Sequence, residues 1–228
     1  IGELYPPFVG VELGVAEKLA IKAIATVTGL AEKNVAVKLK KTGDLGLTVQ
    51  ELLEKKSQQT LRMQTLTVER TYQTLEKIAH ATGSGSQETK IKLLVGLLND
   101  ATPNEAKYIL RIVLGRLRLG VADMTLLDAL AIAYGGGKES REAIERAYNL
   151  TSDIGYVART LAEKGMRALE RFSVTFGKPI KPQMAERLGS LDEILEKLGG
   201  RAAADYKYDG LRIQAQISPD SITLFSRR

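Results

Sequence analysis

Val174-Thr175-Phe176-Gly177-Lys178-Pro179-Ile180-Lys181-Pro182 is the stretch on which the reading of this chain turns. Its two prolines lack backbone N–H groups and cannot sit inside a regular helix. One kind of structure must end before it and another begin after it. Upstream, helix start and stop signals repeat. Leu19, Ile21, Ile24 and Val27 put an apolar stripe on a helix that stops at Gly29. The turn Thr42-Gly43-Asp44-Leu45-Gly46 precedes a helix expected near 48–57. Thr67 caps a helix carrying Tyr72, Leu75 and Ile78, which ends at Gly83-Ser84-Gly85-Ser86. Ser86 is then expected to cap a helix with Ile91, Leu94, Val95 and Leu98 inward. Thr102-Pro103-Asn104-Glu105 is the clearest start: a cap residue, proline at the first helical position and glutamate at the third. Further helices fit 123–134, 138–148 and 152–164, with Gly135-Gly136-Gly137 closing the first of these.

Downstream the period changes. A short helix near 190–198 is closed by Gly199-Gly200. A strand is expected next, over 202–206. Then Leu211, Ile213, Ala215 and Ile217 alternate with Arg212, Gln214 and Gln216, the period of two of a strand. Ser218-Pro219-Asp220 turns the chain and Ile222 to Phe225 returns, giving a β-hairpin. The expected fold is mainly α: a helical domain over 1–175, then the first strands of an α+β domain over 176–228. The chain opens on Ile1 and closes on Arg227-Arg228, which reads as a piece of a longer protein.

Composition narrows the chemistry. Hydrophobic residues make up 44% and charged residues 26%, an ordinary globular balance. There is no cysteine, so disulfides, cysteine-type zinc sites and thiol catalysis are out. A single histidine, His80, leaves no second imidazole for a histidine metal cluster. No apolar run approaches the roughly 20 residues of a membrane span. The formal net charge of +6 favours an anionic partner, of which nucleic acid is the commonest.

Two helical features fit such a partner. The turn Gly83, Ser84, Gly85, Ser86 leads straight into a helix, whose free N–H groups and dipole attract an anion such as a DNA phosphate; a plain helix cap explains the same letters. On the helix from Pro103, Lys107 and Arg111 fall within roughly 40° of each other, with Ile109, Leu110, Val113 and Leu117 elsewhere. Arg116 and Arg118 add charge before Gly120. A one-sided cationic ridge suits phosphate contacts that position a duplex without reading its sequence, and a solvated basic face accounts for it equally.

Asp205-Tyr206-Lys207-Tyr208-Asp209-Gly210-Leu211-Arg212 is the stretch that carries chemistry. Lys207 lies between the extended stretch at 202–206 and the strand from 211, with acidic residues two positions away on both sides and Asp209-Gly210 set to turn the chain. KYDGLR at 207–212 resembles the nucleotide-attachment motif of ATP-dependent DNA ligases, within the covalent nucleotidyltransferases. GKPIKPQMA at 177–185 resembles the segment that precedes their nucleotidyltransferase domain, and LFSRR at 224–228 their Ser-Arg motif one hairpin later. GRLRLGVAD at 115–123, GDLGLTVQELL at 43–53 and the turn GSGSQ resemble signatures of their helical DNA-binding domain. The resemblance spans nearly the whole chain and is closest to archaeal replicative ligases. Two departures stand out: Gln183-Met184 replaces a more usual Met-Leu, and Asp205 replaces a glutamate.

The resemblance implies a parent that seals nicks in double-stranded DNA in replication, repair and recombination, using ATP and Mg²⁺. Lys207 would become linked to AMP, with Asp205 near the base, Arg212 on the nucleotide and Arg227 on the ribose or nick phosphate. Gly83 to Ser86, Lys107, Arg111, Arg116, Arg118 and Gly120 would touch DNA. The metal's carboxylates would lie beyond residue 228. A cytoplasmic, nucleoid-associated location and a sliding clamp as a further partner go with that role, and no membrane. The alternatives are a non-catalytic helical DNA-binding module, or another lysine nucleotidyltransferase such as an RNA ligase or capping enzyme.

Overall fold

The computed structural model describes residues 4–55, 64–182, 186–206 and 208–226. Lys207, Arg227, the Gln183-Met184 pair and the end of the helix expected near 48–57 lie outside the described residues. Two compact units appear, Ile1–Leu126 and Leu127–Arg228.

The first unit is built from α1 (Glu17–Thr28), α2 (Glu32–Thr42), α3 (Leu45–Glu54), α4 (Val68–His80), α5 (Ser86–Asp100) and α6 (Pro103–Val113). Local chemistry sets most of the ends. Gly29 closes α1 in the left-handed conformation. Thr67 caps α4 by accepting from Arg70 N–H at 3.1 Å. At α6 the full capping box forms: Glu105 N–H donates to Thr102 Oγ1, and Thr102 N–H donates to the Glu105 carboxylate at 2.8 Å.

Three upstream expectations need correction. α2 was not anticipated, because EKNVAVKLKKT buries only Val35 and shows no stripe to read. α3 starts three residues earlier than expected, since Asp44 accepts from Leu47 N–H at 2.7 Å and caps it there. Gly85, left-handed at φ 79°, holds the cap position of α5, so Ser86 is its first helical residue and not its cap.

The core of this unit joins Ala23, Ile24 and Val27 of α1 to Val49 of α3, Ile78 of α4, Leu94 and Leu98 of α5, and Ala106 and Leu110 of α6. Buried Lys90 donates from Nζ to the Leu13 carbonyl at 2.7 Å, pinning the segment before α1 onto α5. α3 lies against α6 so closely that a Cβ on Gly46 would sit 2.7 Å from the Lys107 carbonyl oxygen and 3.0 Å from Arg111 Cγ. Backbone cannot yield as a side-chain tip can. Gly46→Ala is therefore expected to lower stability by about 1–3 kcal/mol, the range for overpacking. Thermal denaturation of the variant checks this, and an unchanged midpoint would show that the two helices are free to move apart.

The second unit holds most of α7 (Asp123–Tyr134), then α8 (Arg141–Thr151), α9 (Ile154–Lys164), α10 (Leu191–Lys197), β1 (Ile213–Ile217) and β2 (Ile222–Ser226). The helix expected over 138–148 begins as a 3-10 turn, Lys138–Ser140, before α8. Left-handed Ser152 separates α8 from α9, which Asp153 caps by accepting from Tyr156 N–H at 2.9 Å. A small core forms from Leu127, Ala131, Ile144, Ala147, Val157, Leu161 and Leu169.

The hairpin forms as expected, antiparallel, with Ile213 opposite Ser226 and Ile217 opposite Ile222. Its faces are the surprise. Gln214 and Gln216 lie on the half-covered side, while Ile213, Ile217, Ile222 and Leu224 are exposed. Residues 202–206 form no strand: a strand needs a ladder partner, and none pairs with them among the described residues.

Candidate nucleic-acid interface and nucleotide-attachment loop

In the first unit the sequence stretches 43–47 and 111–120 meet at Asp44. Its cap position fixes the carboxylate at the start of α3, where it is only 6% exposed. Besides capping Leu47 N–H, Oδ1 accepts from Arg111 Nε at 3.2 Å, and Oδ2 pairs with Arg118 Nε at 3.3 Å. Arg111 Nη1 also donates to the Leu117 carbonyl at 3.4 Å, closing the turn that follows α6. One carboxylate thus organises two guanidinium groups, leaving a local excess of positive charge.

The two arginines are not equivalent. The Arg111 side chain is 11% exposed and faces inward, whereas that of Arg118 is 49% exposed. Arg118 sits at φ 53°, between Gly115 and Gly120, both left-handed at φ 64°. A non-glycine residue in that region is uncommon and is held there by its surroundings; the bond to Asp44 supplies the hold. Leu117 to Ala122 line an open depression of about 240 Å³ beside it. Arg116 and Gly120 are exposed, and Lys107 lies half-buried with its Nζ 5.3 Å from the centre of the Tyr108 ring.

Gly83, Ser84 and Gly85 are exposed and Ser86 half-buried. Gly83 and Gly85 are left-handed, and Ser86 N–H donates to the Gly83 carbonyl at 3.2 Å. No ion pair or side-chain hydrogen bond among the described residues joins this turn to the Asp44 cluster. Asp44 is the residue that the reading of the sequence passed over as a site member. Its signal was present, as an acidic residue directly before a helix in a glycine-rich turn.

In the second unit, the loop leading to β1 is open. Asp205 Oδ1 accepts from Tyr206 N–H at 2.8 Å, and Tyr208 N–H donates to the Tyr206 carbonyl at 3.2 Å. Tyr206 and Tyr208 are 83% and 84% exposed. Their ring centres lie 6.4 Å apart. Asp209 and Arg212 are exposed too, and Gly210 has φ 156° with nothing near a would-be Cβ.

The proline-containing strap at 174–182 lies between this hairpin and the end of α8. Lys181 N–H donates to the Asn149 carbonyl at 2.8 Å, and Ser152 Oγ to the Pro179 carbonyl at 2.6 Å. Lys178 and Lys181 stand over the rings of Tyr156 and Tyr148, 3.8 and 3.9 Å from their centres.

No group of three or more acidic, histidine or cysteine side chains fit to hold a metal is found among the described residues. The described residues therefore do not offer Mg²⁺ such a ligand set. No helix among them is long and apolar enough to cross a membrane.

Comparison with known proteins bears on both halves. Residues 3–131 match a family model described as DNA ligase N terminus, and residues 182–228 one described as ATP dependent DNA ligase domain. A protein named DNA ligase 2 from Thermofilum pendens is 52% identical over 234 residues, covering all of this chain and 39% of its own length. The DNA ligases of Nitrosopumilus maritimus and Saccharolobus solfataricus are 49% and 48% identical, again across nearly the whole chain and 38% and 39% of theirs. The chain thus spans about two fifths of the length of these relatives. With its N-terminal half and the stretch around KYDGLR both matched in order, the chain belongs to the ATP-dependent DNA ligase family.

Proposed function

We propose that this chain is the DNA-gripping and nucleotide-accepting part of an enzyme that seals nicks in duplex DNA at the expense of ATP. The observation that carries the proposal is KYDGLR at 207–212, inside the stretch matched to the ATP-dependent ligase domain. Lys207 is the nucleophile. Its neutral amine attacks the α-phosphorus of ATP, the N–P bond forms, the α–β bridging P–O bond breaks and pyrophosphate leaves. AMP then passes to the 5′-phosphate at a nick, and the 3′-hydroxyl displaces it to join the strand.

The amine must be uncharged to attack. At the ordinary lysine pKa of about 10.4 only about 0.04% is neutral at pH 7. Lowering it by about three units requires roughly 4 kcal/mol of preference for the neutral form. Neighbouring cations push that way, and Arg212 and Arg227 are the ones this chain supplies. Asp205 flanks the base, and Asp209-Gly210 shapes the turn. Mg²⁺, when bound, would neutralise charge on the phosphates.

The DNA-binding role is assigned to the helical part, residues 1–175, and the nucleotidyltransferase role to residues 176–228. Arg118, Arg116 and the backbone N–H groups at Gly83 to Ser86 and at Gly120 contact phosphates, with Lys107 beside them. Arg111, buried on Asp44, serves this surface by holding the 114–120 turn. Such contacts position a duplex independently of sequence. Replication, repair and recombination all leave nicks, so a nucleoid setting in the cytoplasm and a sliding clamp that delivers the enzyme complete the proposal.

Salt dependence tests the DNA surface. Log affinity for a nicked duplex is expected to fall linearly with log salt, and Arg118→Ala to reduce the slope by about 0.9. Fluorescence anisotropy across a salt series reads this, and an unchanged slope removes Arg118 from the phosphate contacts. Incubation of the full-length protein with α-labelled ATP and Mg²⁺ tests the chemistry: covalent label supports it, and a protein that takes none is a binding module.

A further inference from the structure

Gln214 and Gln216 are two residues apart on β1, so both side chains stand on one face. That face meets the strap. Gly177 N–H donates to Gln216 Oε1 at 2.7 Å, and Gln216 Nε2 donates to the Lys178 carbonyl at 2.8 Å. Ile180 N–H donates to Gln214 Oε1 at 2.9 Å, and Gln214 Nε2 donates back to the Ile180 carbonyl at 3.2 Å. Each amide offers one acceptor and one donor to the strap backbone, as a neighbouring strand would.

The rest of the strap is accounted for as well. Lys178 N–H donates to the Thr175 carbonyl at 3.1 Å and Lys181 N–H to Asn149 at 2.8 Å. With proline at 179, every N–H from Gly177 to Lys181 is engaged. The strap is anchored to α8 on one side and grips β1 through two glutamines on the other. Meanwhile the opposite face of β1, with Ile213 and Ile217, is exposed. Upstream, the described residues of the loop from Asp205 to Leu211 are exposed, and the contacts they make are local: Tyr206 with Asp205 and with Tyr208. The loop runs directly into β1.

We infer that Gln214 and Gln216 are positioning residues for the nucleotide-attachment loop: by clamping β1 to the strap they fix the strand into which that loop runs. The inference rests on Lys207 being the nucleophile. It also explains the residue type. Leucine keeps the size but neither bond, and glutamate loses the donor while setting a charge against the strap carbonyls.

The test uses the full-length protein, with Gln214→Leu, Gln216→Leu and the double variant. Self-adenylation at saturating ATP is timed by rapid quench, the KM for ATP is determined, and joining of a nick already carrying a 5′-adenylate is followed separately. Misplacement of a reacting group by an ångström costs about a hundredfold. The double variant is expected to self-adenylate about ten- to a hundredfold more slowly, while its KM for ATP and its joining of the pre-adenylated nick are unchanged. Wild-type self-adenylation in the double variant overturns the inference. Equal loss in both steps also overturns it, because the glutamines would then serve the fold and not the loop. A wild-type protein that takes no label at Lys207 removes the nucleophile and this inference together. A labelled wild type beside an equally fast double variant removes this inference alone.

Discussion

Lys207→Ala in the full-length protein is expected to reduce ATP-dependent joining by about a thousandfold or more, the scale on which loss of a covalent nucleophile acts. The same variant is expected to join a nick that already carries a 5′-adenylate, because the amine acts only in the first step. Lys207→Arg should be no better than alanine: guanidinium stays protonated at any working pH and offers no lone pair. A gel assay with the two kinds of nick separates these outcomes. Equal loss on both would mean that Lys207 serves DNA binding or the fold. Undiminished joining from ATP would place the nucleophile elsewhere.

Asp44→Ala is expected to be the most damaging substitution in the helical unit. The carboxylate is buried, caps α3 and pairs with Arg111, which is itself nearly covered. Removing one partner of a buried pair leaves an uncompensated charge, at a cost of about 3–5 kcal/mol. Loss of the cap adds about 1 kcal/mol. Asp44→Asn keeps an acceptor for Leu47 N–H and loses the charge, so it should fall between wild type and alanine. The pairing with half-exposed Arg118 counts for little in stability, but it holds that residue in a left-handed conformation. DNA affinity should therefore drop in both variants at temperatures where they remain folded. Urea denaturation followed by circular dichroism measures the first effect; a loss below about 1 kcal/mol would show that water reaches Arg111 and relieves it.

What could be read from the sequence divides along the range of the forces involved. The start of α6 was legible because Thr102, Pro103 and Glu105 settle it within one turn. The hairpin was legible because alternation and a Ser-Pro-Asp turn are local too. α2 was not: with only Val35 buried, it is held as a helix by its neighbours rather than by a stripe of its own. Gly85 displaced Ser86 as the cap of α5 because a left-handed residue was needed at the bend, and glycine takes that conformation without strain.

The candidate site shows the same division. KYDGLR and the ends of the basic helix were visible as letters. Periodicity placed Arg111 beside Lys107 on a cationic ridge, yet its partner is Asp44, 67 positions earlier in the chain. Helical spacing carries no information about such a pairing. Likewise, alternation in β1 marked two faces without saying which is covered. The covered one proved to be polar, because the strap offers backbone groups that glutamine satisfies and isoleucine cannot. The strap itself was legible as a break in the helical pattern, though not as a partner of the strand.

The proposed function requires a covalent bond between the Lys207 amine and adenosine monophosphate. Digesting the full-length protein after incubation with ATP and Mg²⁺, and mapping its peptides by mass spectrometry under conditions that spare acid-labile bonds, tests it most directly. A gain of about 329 Da on the peptide containing Lys207, absent when ATP is withheld, is the predicted result. Complete coverage of that peptide at its unmodified mass, or the gain on a different lysine, would contradict it.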